Sequence, residues 1–149
     1  MTLPKLTGPW SRPEITAFLE SAIIPVRLAV VSEAGWPVIV SLWFLYEDGL
    51  LFCATRSTSK VAKLLANQSR VGFEVAVEKP PYYGIRGQGL ASVSRDIDAK
   101  LLTRLANRYL GEQETRFRRW LINGADDEAA IKIRPVRIMS WDYRRRMAS

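Results

Sequence analysis

The chain contains no histidine, and Cys53 is its single cysteine. A Ser-His-Asp triad, a Cys-His pair, a histidine-ligated haem or zinc and a four-cysteine metal site all need residues that are missing. No metal site is therefore expected, and an intrachain disulfide is impossible. The sequence also lacks any apolar run near the length a bilayer requires; its longest, Pro37 to Tyr46, is strand-sized. With no basic and apolar leader at its start, it reads as soluble and cytoplasmic, with no membrane partner. Internal repeats and low-complexity segments are absent too. What remains is the composition of a globular protein, 48% hydrophobic, 10% aromatic and 25% charged, in 149 residues that suit a single domain. A chain of that size buries roughly two thirds of its unfolded surface, enough for a core and one cofactor-sized cleft.

Acidic residues are scarce relative to basic ones, 15 against 22, for a net charge of +7. The excess is concentrated in residues 100–149, which hold twelve of the basic and six of the acidic side chains. A basic third invites a nucleic-acid reading, but no nucleic-acid motif accompanies it. Arginines that keep solvent-facing positions soluble and attract small anions account for the excess, so no nucleic-acid partner is expected. Arg144-Arg145-Arg146 reads as a solvated end.

Along the chain, Ser11-Arg12-Pro13-Glu14 has the form of a capping box, and Ile15, Phe18, Leu19 and Ala22 follow at helical spacing. A helix to about Ser21 is predicted. The period then changes to that of strands: Val26 to Val31, a turn at Ser32-Glu33-Ala34-Gly35, Pro37 to Tyr46, a turn at Glu47-Asp48-Gly49, and Leu50 to Ala54. These three strands predict an antiparallel meander. Cys53 lies inside the third and reads as a small buried hydrophobe. A helix follows with Val61, Leu64 and Leu65 inward, then strands from Arg70 to Val77 and from Ile85 to Ser94. Gly87 and Gly89 in the latter suggest a bend or the close approach of another backbone. Helices are predicted over 96–110 and 113–123, stopped by Gly124, and a last strand over 130–141 carries Pro135 at an edge or a bulge. Six strands, mostly hairpin-linked, with three or four helices fit a small closed or split barrel, with a flat sandwich as the alternative.

One segment suggests binding. Thr55-Arg56-Ser57-Thr58-Ser59-Lys60 joins a strand end to a helix start with four hydroxyls, two cations and no apolar side chain. Unpaired first-turn amides and the helix dipole favour an anion there, which Arg56 can grip with its fork and Lys60 as a point charge. The alternative is a polar loop in which Ser57 or Ser59 is simply an N-cap. Aromatic residues are the second feature: Trp36 and Trp43 on the central hairpin, Tyr82 and Tyr83 in the proline-rich loop, Trp141 and Tyr143 near the end. They can flank a planar ligand or serve as core.

Taken in order, these segments resemble a known family. The run from Arg27 to Pro37, then Val40-Ser41-Leu42-Trp43-Phe44, Asp48-Gly49-Leu50-Leu51-Phe52, Thr55 with Ser59-Lys60, and Leu64-Leu65-Ala66-Asn67 is similar to the pyridoxamine 5′-phosphate oxidase-like FMN-binding split barrels. The likeness continues through Gly84-Ile85-Arg86-Gly87-Gln88-Gly89 and Ile133-Arg134-Pro135-Val136-Arg137-Ile138. It implies a mainly β fold, a six-stranded antiparallel split β-barrel with helices, spanning residues 1–149 as one domain with a helical insertion at about 96–123. It further implies a homodimer with flavin at the interface, acting as an FMN-dependent oxidoreductase on a small molecule. Val40, Ser41, Leu42 and Trp43 would then lie along the flavin ring, largely through backbone groups. Thr55, Arg56, Ser57, Ser59 and Lys60 would take the phosphate, and Trp141 and Arg144 would reach the flavin from near the C-terminus. No catalytic residue is assigned.

The departures from the family pattern are also informative. Pyridoxamine phosphate oxidases carry an arginine and a lysine on the second strand where this chain has Val40 and Leu45, and their arginine- and histidine-containing substrate end is missing. Oxidation of vitamin B6 is therefore not expected. A deazaflavin in place of FMN, or a non-catalytic flavin-binding stress or sensor protein, are the alternatives within this fold.

Overall fold

The structure, a computed structural model, describes residues 2–95, 97 and 99–148. Its first helix, α1 (Arg12–Ser21), starts as the sequence dictates: the Glu14 amide donates to the Ser11 hydroxyl at 3.3 Å and the Ser11 amide to Glu14 Oε1 at 3.0 Å. Ile15 and Leu19 bury against the barrel. Ahead of α1 lies a short strand, β1 (Lys5–Thr7), which the sequence pattern did not reveal.

The rest of the fold is a curled sheet. β2 (Val26–Val31) and β3 (Pro37–Leu42) form one hairpin, turning at Gly35 with φ +88°; β4 (Phe44–Glu47) and β5 (Leu50–Arg56) form another, with Asp48 and Gly49 both at positive φ. After α2 (Lys60–Leu65) come β6 (Arg70–Ala76) and β7 (Tyr83–Ser94), then helices α3 (Ala99–Leu110) and α4 (Arg116–Asn123), the long strand β8 (Glu128–Asp142) and a final turn of helix, α5 (Arg144–Met147). The strands are ordered β3-β2-β6-β7-β8-β5-β4, with β1 parallel to β8 where β5 no longer reaches. The two ends of that order, β3 and β4, are joined in the chain by Trp43 alone, so the sheet curls into a barrel around Leu28, Phe44, Leu51, Val75 and Ile133. Among the described residues, no helix is long and apolar enough to cross a membrane.

This is the mainly β split barrel expected, with eight strands rather than six. β1 is one addition. The other arises because the strand predicted over Pro37 to Tyr46 breaks at Trp43, where the Phe44 amide leaves the ladder and donates to the Tyr109 hydroxyl at 3.2 Å. The meander is therefore two hairpins whose shared middle strand bends between opposite edges of the sheet. The first insertion helix begins at Ala99, with the predicted positions Asp96 and Asp98 outside the described residues. The second begins at Arg116 rather than Gln113, because the Thr115 hydroxyl caps it by accepting from the Arg118 amide at 3.0 Å. The arginine tail forms α5, so it is helical as well as exposed.

Pro135 sits at a bulge. Arg137 pairs with Gln88 and Pro135 with Gly89, which leaves Val136 without a partner on β7. Both glycines mark close backbone approach: a Cβ at Gly87 would stand 2.3 Å from the Arg137 carbonyl oxygen, and one at Gly89 2.7 Å from that of Arg134. Cys53 is fully buried, and burial pushes its thiol up to about 12. A thiol reagent at about pH 8 is expected to leave the native protein unlabelled and to modify one thiol after denaturation; rapid native labelling would contradict this placement.

Candidate functional site

The segment between β5 and α2 folds through its own side chains. The Thr55 hydroxyl donates to the Ser59 hydroxyl at 3.1 Å, and Ser59 in turn accepts from the Ala62 amide at 3.2 Å as the N-cap of α2. The Ser59 amide donates to the Arg56 carbonyl and the Ser57 amide to the Asp127 carbonyl, both at 2.9 Å. The capping role considered from sequence is thus real for Ser59. It fixes the loop so that Arg56 and Lys60 both stay exposed at its mouth.

Antiparallel pairing decides what lies beside this loop. Arg56 is the register partner of Glu128, and its guanidinium lies 5.7 Å from the centre of the Trp120 ring on α4. The Glu128 carboxyl is pushed above its ordinary range by burial; Arg56 acts against that and Asp127 with it. Ser41, Leu42 and Trp43 form a wall of a groove of about 250 Å³, which Leu105 of α3, Phe117 of α4 and Glu128 help to close. Trp43 is fixed there by stacking on Tyr109, with ring centres 5.0 Å apart and planes 5° from parallel. Tyr109 is itself anchored by donating to the Ile24 carbonyl at 2.8 Å. The Val40 side chain packs against the barrel core.

The remaining expected residues lie elsewhere. Trp141 pairs with Gly84 and has the Arg86 guanidinium 5.5 Å above its ring. Arg144 Nε donates to both Asp142 carboxylate oxygens, at 2.9 and 3.1 Å, and its guanidinium stands 4.1 Å from the Tyr83 ring centre. The Trp10 indole N–H donates to the same carboxylate at 3.1 Å. Glu128, opposite Arg56, and Trp141 stand thirteen positions apart on β8; at a strand's rise that is about 43 Å along the strand. The structure therefore brings Ser41–Trp43 next to the Thr55–Lys60 loop and leaves Trp141 at the far end of β8, with Arg144 just beyond it in α5.

The Arg144 contact, followed by hydrogen bonds from the Arg144 amide and Trp10, holds the Asp142 carboxyl well below its ordinary value of 3.8. A carboxylate with a lowered folded-state value stabilises the fold above its unfolded value and loses that contribution as pH falls toward the folded one. Asp142→Asn is accordingly expected to lower the thermal midpoint at pH 7, and the gap from the parent should narrow below about pH 4. Equal gaps at pH 7 and pH 2.5 would show that the ionised carboxylate is not what ties Trp10 to Arg144.

Glu128, Trp120, Phe117 and Tyr109 were not apparent as site residues in the sequence. Glu128 closes the acidic run Asp126-Asp127-Glu128 and reads as loop; only its register with Arg56 brings it into the site. Helical spacing makes Tyr109 look like core, whereas it is half-buried and stacks on Trp43.

The sequence model of the family described as pyridoxamine 5′-phosphate oxidase matches residues 11–142. The chain belongs to this family. Among solved structures, the conserved hypothetical protein Rv2991 from Mycobacterium tuberculosis is 21% identical, with 95% of this chain and 90% of that one covered and a TM-score of 0.80. An F420 reductase is 20% identical over 80% of this chain and 92% of its own, at a TM-score of 0.66. A FAD-binding protein from Mesorhizobium loti is 17% identical over 88% and 93%, at 0.64. These likenesses carry the split-barrel fold. No curated protein sequence matches the chain.

In a chain of the pyridoxamine 5′-phosphate oxidase family, the group to be held is a flavin phosphate. The donor set suits one: a guanidinium, an ammonium and hydroxyls stand together at a helix start, beside a groove with apolar and aromatic walls. The groove of a single chain is smaller than the roughly 300–1,000 Å³ usual for cofactor sites.

Proposed function

We propose that this family member is a cytoplasmic, FMN-dependent oxidoreductase that acts as a homodimer on a small molecule. The observation that carries the reading is the separation along β8. Thr55, Arg56, Ser57, Ser59 and Lys60 lie at one end, Trp141 and Arg144 at the other, so two copies related by a twofold axis would supply both sets to one cofactor. The outer face of the sheet has the character of a surface between copies. Ile39 is 69% exposed beside Ala29, Gly72 and Met139, around a groove of about 890 Å³ rimmed by Arg27 and Arg137.

In this reading Arg56 and Lys60 hold the phosphate, and the Ser41–Trp43 backbone lies along the ring. The flavin, when bound, supplies the hydride chemistry, which a chain without histidine does not need to provide itself. Trp43, clamped on Tyr109, and the apolar residues of α3 and α4 exclude water from the ring. The fold likeness to an F420 reductase favours a second reading in which a deazaflavin takes the same place.

The test is titration of purified protein with FMN, FAD and a deazaflavin, followed by absorbance over about 300 to 550 nm, with sedimentation of parent and Ile39→Glu. One FMN per chain on a dimer that Ile39→Glu dissociates is the expected result. Exclusive binding of the deazaflavin would transfer the cofactor assignment, and a monomer that holds FMN fully would overturn the shared site.

A further inference from the structure

A second cavity, of about 360 Å³, shares no lining residue with the groove at Trp43 or with the one around Ile39. It forms where the sheet has a gap. On one edge of β8 the register with β5 ends at Ile133 and that with β1 begins at Arg137, so residues 134–136 face no strand there. The segment ahead of β1 and the helix α1 cover this gap, and Arg12 ties the two together by donating from Nη2 to the Pro4 carbonyl at 3.1 Å.

The α1 residues lining the cavity are Arg12, Thr16 and Glu20. Spaced four apart, they form one stripe of the helix, beside the stripe of Ile15 and Leu19 that buries in the barrel. A cation thus stands at one end and an anion at the other, about 12 Å apart along the axis. Their eight-residue separation exceeds the three or four of an intrahelical ion pair. Tyr46 stands between them: burial pushes its phenol above the ordinary value, a hydrogen bond with Thr16 and the charge of Arg12 act against that, and Glu20 acts with it.

The strands add Asp48 and Arg134, one more of each sign. Continuing the β1 register backward sets residues 2–4 beside residues 134–136, so Arg134 joins Arg12 at the cationic end. Among the described residues, none of these four charged groups enters an ion pair. A cavity with no net charge but free charges of both signs selects neither a simple anion nor a simple cation. It complements a ligand that carries both, set apart from each other.

We propose that this cavity binds an ω-amino acid, an unbranched chain of about four to six carbons with its carboxylate on Arg12 and Arg134 and its ammonium on Glu20. The methylenes lie along the Tyr46 ring and the apolar walls of Leu3 and Pro135. An α-amino acid, with both charged groups on one carbon, does not span the stripe. The inference is independent of the flavin reading.

The experiment titrates the protein by calorimetry at pH 7 with 6-aminohexanoate, hexylamine, hexanoate and glycine, with and without FMN. The two-charge chain is expected to bind at least about tenfold tighter than either one-charge chain, and glycine weakest of all. Glu20→Gln should bring 6-aminohexanoate to the level of hexanoate. Arg134→Gln, or Arg12→Gln as a second cationic variant, should bring it toward the level of hexylamine. FMN should leave these affinities unchanged. No binding of 6-aminohexanoate at about 10 mM, equal affinities for the three six-carbon probes, or a preference that survives Glu20→Gln would overturn the proposal. Glycine bound as tightly as the long chain would overturn the spacing on which it rests, and competition by FMN would put the ligand in the flavin groove instead.

Discussion

Replacing Arg56 and Lys60 together with alanine is expected to weaken FMN binding by at least about a hundredfold while the protein stays folded. Each cation offers a charge-assisted hydrogen bond to the phosphate, of order 1.5–3 kcal/mol, and two at the low end already amount to about two powers of ten in affinity. The fold should be indifferent because both side chains are exposed. The loop is instead held by the Thr55–Ser59 hydroxyl bond, the Ser59 cap on the Ala62 amide and the Ser57 amide on Asp127, none of which is touched. Riboflavin, which lacks the phosphate, supplies the control: its affinity should be the same for parent and double variant. FMN retained equally by both proteins would remove the phosphate from this loop. Ser59→Ala should behave differently, losing about 1 kcal/mol of stability with the cap.

The second large effect concerns Arg108. This residue of α3 reaches across to the C-terminal end of α1, donating from Nη1 to the Glu20 carbonyl at 2.8 Å and from Nη2 to the Leu19 and Ala22 carbonyls at 2.8 and 2.6 Å. Its guanidinium also stands 4.9 Å from the centre of the Phe44 ring. The last turn of α1 contains no basic residue, so Arg108 satisfies carbonyls that the helix cannot pair itself and places a cation at its negative end. Arg108→Met keeps much of the packing and removes all three donors. The expected loss is about 3 kcal/mol, or about 10 °C in thermal midpoint for a chain of this size. Arg108→Lys retains the charge without the fork and should fall between the two. A methionine variant within about 0.5 kcal/mol of the parent would show that water serves the α1 carbonyls equally well. Because α3 also carries Tyr109, on which Trp43 stacks, the same variant should loosen the groove and quicken hydrogen exchange at the Phe44 amide.

Local chemistry was legible wherever a few neighbouring residues suffice. The Ser11–Glu14 box, the glycine turn at Gly35, the tight turn at Asp48-Gly49 and the Ser59 cap are each decided within four residues, and each stands where the sequence put it. The alternation through β2 and β6 likewise marked which side chains face the core, since a strand with one buried face has no other register open to it; in β8 it held for Ile131, Ile133 and Ile138 but not for Val136, which the bulge beside Pro135 turns outward to 43% exposure. The ordered likeness from Arg27 to Ile138 was enough to suggest the family to which the match over residues 11–142 assigns the chain.

What the sequence by itself determined, then, is a mainly β barrel with helices, the absence of histidine chemistry, and a hydroxyl-rich, cationic loop at a strand-to-helix junction. What only the tertiary structure decided is which distant residues share a place. The break at Trp43 depends on a hydroxyl 65 residues away taking the Phe44 amide. β1 is three residues long, too short for a periodic signal, and exists because β8 offers it an unpaired stretch. Glu128 meets Arg56 through ladder register, and Trp120 meets Arg56 because a buried Arg118 turns α4 over. These are contacts between segments far apart in the chain, whose energies depend on burial and orientation, and neither quantity is written in the spacing of residues along a strand or helix.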